Sequence, residues 1–187
     1  DFQAELSALR AAKPAATFVF QPGGMGINFV KQWNQAGMND LSKLYTVFTV
    51  DAVSLPALRD TALGVIATQT WSPDLDNPMN KKFVADYKAK HGGYPSFYAA
   101  QAYDTMMAID YAIGKAGSAV TEAMRAVLAG GGIPTTRGIL QMNSNQFPIQ
   151  NVYLREVVLD SDGVATTKVI DTVFENHGDA YAKDCKF

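Results

Sequence analysis

The sequence predicts an α/β fold organised around a doubly wound parallel sheet. In its first half, short β-rich runs alternate with amphipathic segments. The runs are separated by glycine-bearing loops, and no apolar stretch reaches the roughly 18 residues of a membrane-spanning helix. With 187 residues, 48% of them hydrophobic, the chain is long enough for one ordinary domain or two small lobes. The lack of such an apolar stretch gives no expectation of direct membrane insertion, and a charged fraction of 18% with a net charge of -2 supplies no broad basic field, so nucleic acid is not expected as a partner.

The elements follow in order. DFQAELSALR places Phe2, Leu6 and Leu9 at helical spacing with no capping residue ahead of them. This reads as a helix entered partway through, and predicts a fragment or cleaved product whose preceding half carried any export signal. Thr17-Phe18-Val19-Phe20 reads as a buried strand, residues 21–26 as a tight loop, and residues 27–36 as a helix with Val30 and Trp33 inward and Gly37 at its stop. Residues 44–48, 49–54 and 55–62 repeat the strand, loop, helix unit, and residues 65–68 form a third strand. In open parallel sheets ligands sit beyond the carboxyl ends of the strands, so the three loops at residues 21–26, 49–54 and 69–72 are expected along one rim.

Asn77-Pro78 supplies a cap and first-turn proline for a helix to Lys90, closed by Gly92-Gly93. A longer helix is expected over residues 96–115 and a third over 121–128, followed by Gly130-Gly131-Gly132. Residues 138–142, 152–159 and 164–174 then read as an antiparallel meander, the last two strands joined by Asp160-Ser161-Asp162-Gly163.

Candidate chemistry is sparse. The Pro22-Gly23-Gly24-Met25-Gly26 loop could present backbone N–H groups to an anion or be a tight turn alone; its spacing matches neither the dinucleotide nor the phosphate-loop motif. Asp51, at a strand's carboxyl end, could meet a ligand amine, cap the following helix or pair with Arg59. Trp71, Phe97, Tyr98 and Tyr103 could line an aromatic pocket or belong to the core, with Tyr98 favoured for a ligand because it opens a helix. His91 and His177 belong to no catalytic motif, Cys185 is the sole cysteine, and Asp74, Asp76, Asp160 and Asp162 lack calcium-loop spacing and read as turn residues. No cofactor is expected. Cys185 is either an unreactive thiol or paired with a cysteine elsewhere in a longer protein.

Taken together, Phe18-Val19-Phe20 with the Gly-Gly loop, Gln35-Ala36-Gly37, Tyr45-Thr46-Val47-Phe48 with Asp51, Gly64-Val65, and Pro95 through Asp104 (PSFYAAQAYD) resemble the carboxy-terminal half of periplasmic leucine/isoleucine/valine-type solute-binding proteins. The likeness covers nearly the whole chain. The stretch from Asn143 to Gln150 (NSNQFPIQ) looks like a subgroup linked to aromatic and other non-standard solutes.

The resemblance implies a type I periplasmic binding fold: two doubly wound lobes joined by a hinge, with ligand trapped between them. It places residues 1–75 in most of the second lobe, residues 76–138 in part of the first, and residues 139–187 in hinge-crossing strands and tail. Ligand contacts carry over to Gln21, Pro22, Gly23, Gly24, Asp51, Trp71 and Tyr98. The implied partners are a small solute, the membrane permease of an ABC transporter and the missing amino-terminal half, in the periplasm. Asp51 stands where such proteins usually place Glu, and the shorter acid reaches less far toward an α-ammonium group. An aromatic carboxylate is repelled by Asp51 yet welcomed by the glycine-loop amides, so the two features favour different ligands. A sensory domain of the same fold, and a doubly wound enzyme holding an anionic substrate at residues 23–26, are the alternatives; the enzyme requires a catalytic group near Gly26, and the sequence offers none.

Overall fold

A computed structural model describes residues 1–185. The chain divides into two compact units: Asp1–Ser72 with Leu154–Asp171, and Pro73–Tyr153 with the chain from Thr172 onward.

The first unit begins with α1 (Gln3–Ala12), whose amino-terminal cap Phe2 offers no side-chain hydrogen bond. It continues through β1 (Ala16–Phe20), α2 (Gly24–Gln35), β2 (Lys43–Val47), the short α3 (Leu55–Leu58) extended by a 3-10 turn, and β3 (Ile66–Gln69). β1, β2 and β3 pair in parallel, with Phe18 opposite Tyr45, Phe20 opposite Val47 and Val47 opposite Thr68. Beyond β3 the sheet is continued by β6 (Pro148–Leu159), where Val157 exchanges hydrogen bonds with Gly64 and Val65. Side chains alternate across a strand. Val19, Leu44 and Ala67 therefore point to one face, where Leu6 of α1, Phe29, Val30 and Trp33 of α2, and Leu55 and Leu58 of α3 close a single apolar core. The buried Trp33 indole N–H donates to Asn39 at 2.7 Å, which removes the cost of burying an unpaired donor.

The second unit holds α4 (Pro78–His91), α5 (Phe97–Ala116), α6 (Thr121–Ala129), β4 (Ile133–Thr135) and β5 (Gly138–Met142). Within it, β4 and β5 pair antiparallel, as do β5 and the start of β6, and β7 (Ala165–His177) pairs with β6. Both β6 and β7 thus contribute to both units. Ser96 caps α5 by accepting from the Ala99 N–H at 3.1 Å, and the Phe83 and Tyr103 rings pack 4.7 Å apart where α4 meets α5.

A buried polar hub ties these elements together. The Asp104 carboxylate on α5, 4% exposed, accepts from the Thr136 N–H at 2.6 Å, the Thr136 hydroxyl at 3.1 Å and Arg137 Nε at 3.0 Å. Arg137 also donates to Gln150 on β6. Asn77 extends the hub to α4: its Oδ1 accepts from the Asn80 N–H at 2.9 Å while its Nδ2 donates to the Thr136 carbonyl at 2.8 Å. Asn77→Ala removes a cap and a tertiary bond at once, and is expected to cost about 1–2 kcal/mol in a urea titration.

The structure adjusts several boundaries. The second helix starts at Gly24 and not at Ile27, so Gly24-Met25-Gly26 is the first turn of α2. β4 is an additional strand, and β6 starts at Pro148, four residues before the expected Val152. Asp160 behaves as a turn residue, its Oδ1 accepting from the N–H groups of Asp162 and Val164. Asp76 pairs with Lys81 at 2.5 Å, and that hydrogen bond and charge hold its carboxyl below the usual range. Among the described residues no helix is long and apolar enough to cross a membrane, and no cluster of His, Cys, Asp and Glu is arranged to hold a metal ion.

Candidate functional site

The parallel register of β1, β2 and β3 brings three successive loops out of the same end of one sheet. Residues 21–23 follow β1, residues 48–54 follow β2, and residues 70–72 follow β3. A hydroxyl locks the first two loops together: Thr49 Oγ1 accepts from the Gln21 N–H at 3.2 Å and donates to the Val47 carbonyl at 3.1 Å. Gly26 lies against the same junction. A Cβ built there would stand 2.0 Å from the Gln21 carbonyl oxygen and 2.9 Å from Thr49 Cγ2, so only glycine lets α2 start this close to the end of β1.

Gly23, at φ +65° and ψ -140°, occupies a backbone region that side chains rarely enter and precedes α2 without a side chain to cap it. The first turn of α2 carries no acidic residue, and Pro22, Gly23 and Gly24 are exposed. The partial positive charge of a 12-residue helix therefore reaches this rim unneutralised by its own first turn.

Asp51 is half-buried. Its Oδ1 accepts from the Val53 N–H at 2.8 Å, and its own N–H donates to Ser54 Oγ at 3.1 Å, while α3 takes Ser54 as its cap residue. One carboxylate oxygen thus takes part in the turn that leads into α3. Trp71, in the third loop, is 2% exposed. Gln21, Pro22, Gly23, Asp51 and Trp71 thus belong to the carboxyl-end loops of the first unit, and Gly24 opens α2 directly after the first of them. Tyr98, 51% exposed in the first turn of α5, belongs to the second unit.

Sequence reading missed Phe48. It sits at φ +55°, a left-handed conformation that costs a bulky residue about 1–3 kcal/mol and tends to mark functional positions. Its ring, 39% exposed, meets Phe20 edge to face with centroids 5.8 Å apart. In the run Tyr45-Thr46-Val47-Phe48-Thr49 it reads as one more strand residue, and nothing in the composition betrays the reversal of φ.

A sheet end with three neighbouring loops is a place to hold a molecule, and the described residues there supply no nucleophile and base pair. The family model for periplasmic binding proteins matches residues 1–163. The chain belongs to the periplasmic binding protein family.

Within the family, the Leu/Ile/Val-binding protein homolog 6 of Brucella melitensis is 32% identical over 187 residues, covering 96% of this chain and 47% of the relative. Among solved structures, the solute-binding protein of an ABC transporter from Rhodopseudomonas palustris BisB5, in complex with 3,4-dihydroxybenzoic acid, is 32% identical, with a TM-score of 0.83 over 96% of this chain and 50% of that one. A second R. palustris solute-binding protein, in complex with benzoate, is 26% identical, with a TM-score of 0.85 over 100% of this chain and 50% of that one. The chain therefore spans about half the length of the curated relatives it matches. These family members are solute-binding proteins, and their fold is the open, parallel-rich α/β sheet described above.

Proposed function

We propose that this chain is the carboxy-terminal part of an extracytoplasmic, periplasmic solute-binding receptor of an ABC importer, which captures a small molecule between two lobes and releases it chemically unchanged to a membrane permease. The observation that carries the reading is the rim itself: three consecutive loops at the carboxyl ends of adjacent parallel strands, two of them locked by Thr49. The ligand side is assigned to Gln21, Pro22, Gly23, Gly24, Asp51 and Trp71 from one lobe and Tyr98 from the other. Closure works by population shift, because contacts completed only when both lobes meet the solute stabilise the closed state. The protein is read as a receptor and not an enzyme, and its other partner is the amino-terminal half of the same polypeptide.

An aromatic carboxylate fits this rim better than an α-amino acid. Asp51 is short and directs one carboxylate oxygen to the Val53 N–H of its own loop, whereas the start of α2 offers backbone donors with a positive partial charge. The solved relatives bound to benzoate and 3,4-dihydroxybenzoic acid point the same way.

Asp51→Asn in the full-length protein tests the choice by calorimetry. With benzoate or a hydroxybenzoate, affinity is expected to hold or to rise by a few-fold, because a repelling charge is gone. With leucine as ligand, loss of the ammonium's counter-charge is expected to lower affinity by about 10-fold or more. Mass spectrometry of small molecules released from the purified full-length protein identifies the solute directly. Sustained conversion of the captured compound would overturn the receptor reading.

A further inference from the structure

Phe48 holds a conformation that its residue type resists. At φ +55° the Cβ of a bulky side chain crowds the backbone, and glycine would take the same turn without that crowding. Strain of this kind is kept where the side chain does something the turn alone does not require, and it gathers at ligand clamps and binding sites. Nor is the strain offset by filling the core: the ring stays 39% exposed, against 1% for Val50 two residues on.

The place of the ring says what it faces. Phe48 directly follows β2 and Phe20 ends β1, and these two strands pair in parallel, so both rings stand at the carboxyl ends of adjacent strands. They meet edge to face at 5.8 Å, and Phe20 is itself 58% exposed. Thr49, the next residue, is buried and bonded to the Gln21 N–H, and its Cγ2 lies 2.9 Å from the point where a Cβ on Gly26 would stand. The residue beside Phe48 therefore abuts the first turn of α2, whose N–H groups are the donors offered to a solute carboxylate.

A benzoate has two parts, a carboxylate and a ring. The start of α2 supplies donors for the first, and the Phe20–Phe48 pair presents aromatic surface to the second, where ring contacts add to plain apolar burial. The buried Thr49 and Val50 anchor the backbone that carries Phe48, so the ring is in place before the solute arrives and less ordering is required on binding.

We propose that Phe48, backed by Phe20, is a specificity-determining residue that packs against the solute's ring and selects an aromatic carboxylate over an aliphatic one of similar size. This rests on reading the rim as the solute side of a receptor, and deepens that reading by naming the residue that recognises the ring.

Calorimetry and thermal melting of full-length variants separate the ring from the backbone beneath it. Wild type is expected to bind benzoate about 3–10-fold more tightly than cyclohexanecarboxylate, the same acid without π electrons, and Phe48→Leu to lose most of that preference. Phe48→Tyr, which keeps the ring, is expected to retain it. Phe48→Gly and Phe48→Ala are both expected to lower benzoate affinity by about 10-fold or more. Phe48→Gly is nonetheless expected to melt above Phe48→Ala, because only glycine takes the positive φ freely. The ratio between the two acids is the deciding readout, since a fold that is merely weakened shifts both affinities alike. An unchanged ratio in Phe48→Leu, with benzoate affinity in Phe48→Gly within about 2-fold of wild type, would overturn the proposal and leave the ring a packing role alone. A wild type that binds leucine and not benzoate sinks the aromatic ligand and Phe48 with it, and leaves the receptor standing. One that binds benzoate with the expected ratio and then converts it sinks only the receptor.

Discussion

Asp104→Ala is expected to destabilise the second unit by about 3–5 kcal/mol, the range for breaking a buried ion pair from one side. The substitution leaves Arg137, whose side chain is 12% exposed, without its carboxylate, and strips the Thr136 N–H and hydroxyl of their acceptor. Arg137→Ala is expected to cost less, about 1–3 kcal/mol, because both Thr136 donors still reach Asp104. The two losses are expected to be strongly non-additive when combined, since each single change removes the same pair. Denaturant unfolding followed by a probe in the second unit measures all three. A loss below about 1 kcal/mol for Asp104→Ala would mean that the hub does not hold α5 to the β4–β5 turn.

Gly26→Ala is expected to destabilise the first unit by about 2–3 kcal/mol, at the upper end of overpacking costs. The obstruction is the Gln21 carbonyl, 2.0 Å from the new Cβ, and backbone cannot swing aside as a flexible side chain can. Relief requires α2 to slide away from the end of β1, which also pulls the Gln21 N–H from Thr49. Solute affinity of the full-length protein is therefore expected to fall by about 10-fold or more, a loss of at least ~1.4 kcal/mol. Gly24→Ala is the matched control: a Cβ there meets nothing within 4 Å. In a helical turn that change is expected to be neutral or stabilising by up to about 1 kcal/mol. Equal melting temperatures for the two variants would contradict the argument.

What the sequence disclosed tracks what is local. The β, loop, α rhythm placed β1, β2 and β3 to within about two residues, as expected when period and turn chemistry act over short windows. The rim followed from a general rule about parallel sheets. Asp104 shows the opposite case. Its place in the Tyr103-Asp104 pair helped carry the family likeness, but its physical role depends on Thr136 and Arg137, 32 and 33 positions away, and no local pattern encodes that meeting. Phe48 fails for another reason: a positive φ runs against the preference of a bulky residue, so the residue type itself gives no sign of it. β4, three residues long and carrying Pro134, is too short to show periodicity. Asp51 was left between a ligand amine, a helix cap and Arg59 because a single acid after a strand can serve any of them, and its bond to the Val53 N–H depends on a loop geometry that no local pattern encodes.

The discontinuity of the first unit has a consequence for biosynthesis. When Ser72 has left the ribosome, the sheet still lacks Val157, the residue to which Gly64 and Val65 bond. At about 5–20 residues per second, the intervening Pro73–Tyr153 stretch delays its arrival by roughly 4–16 s. During that interval the flank of β3 awaiting Val157 stays open to competing strands, so the nascent chain is expected to depend on holdase protection during this interval more than a protein whose sheet is translated in one piece.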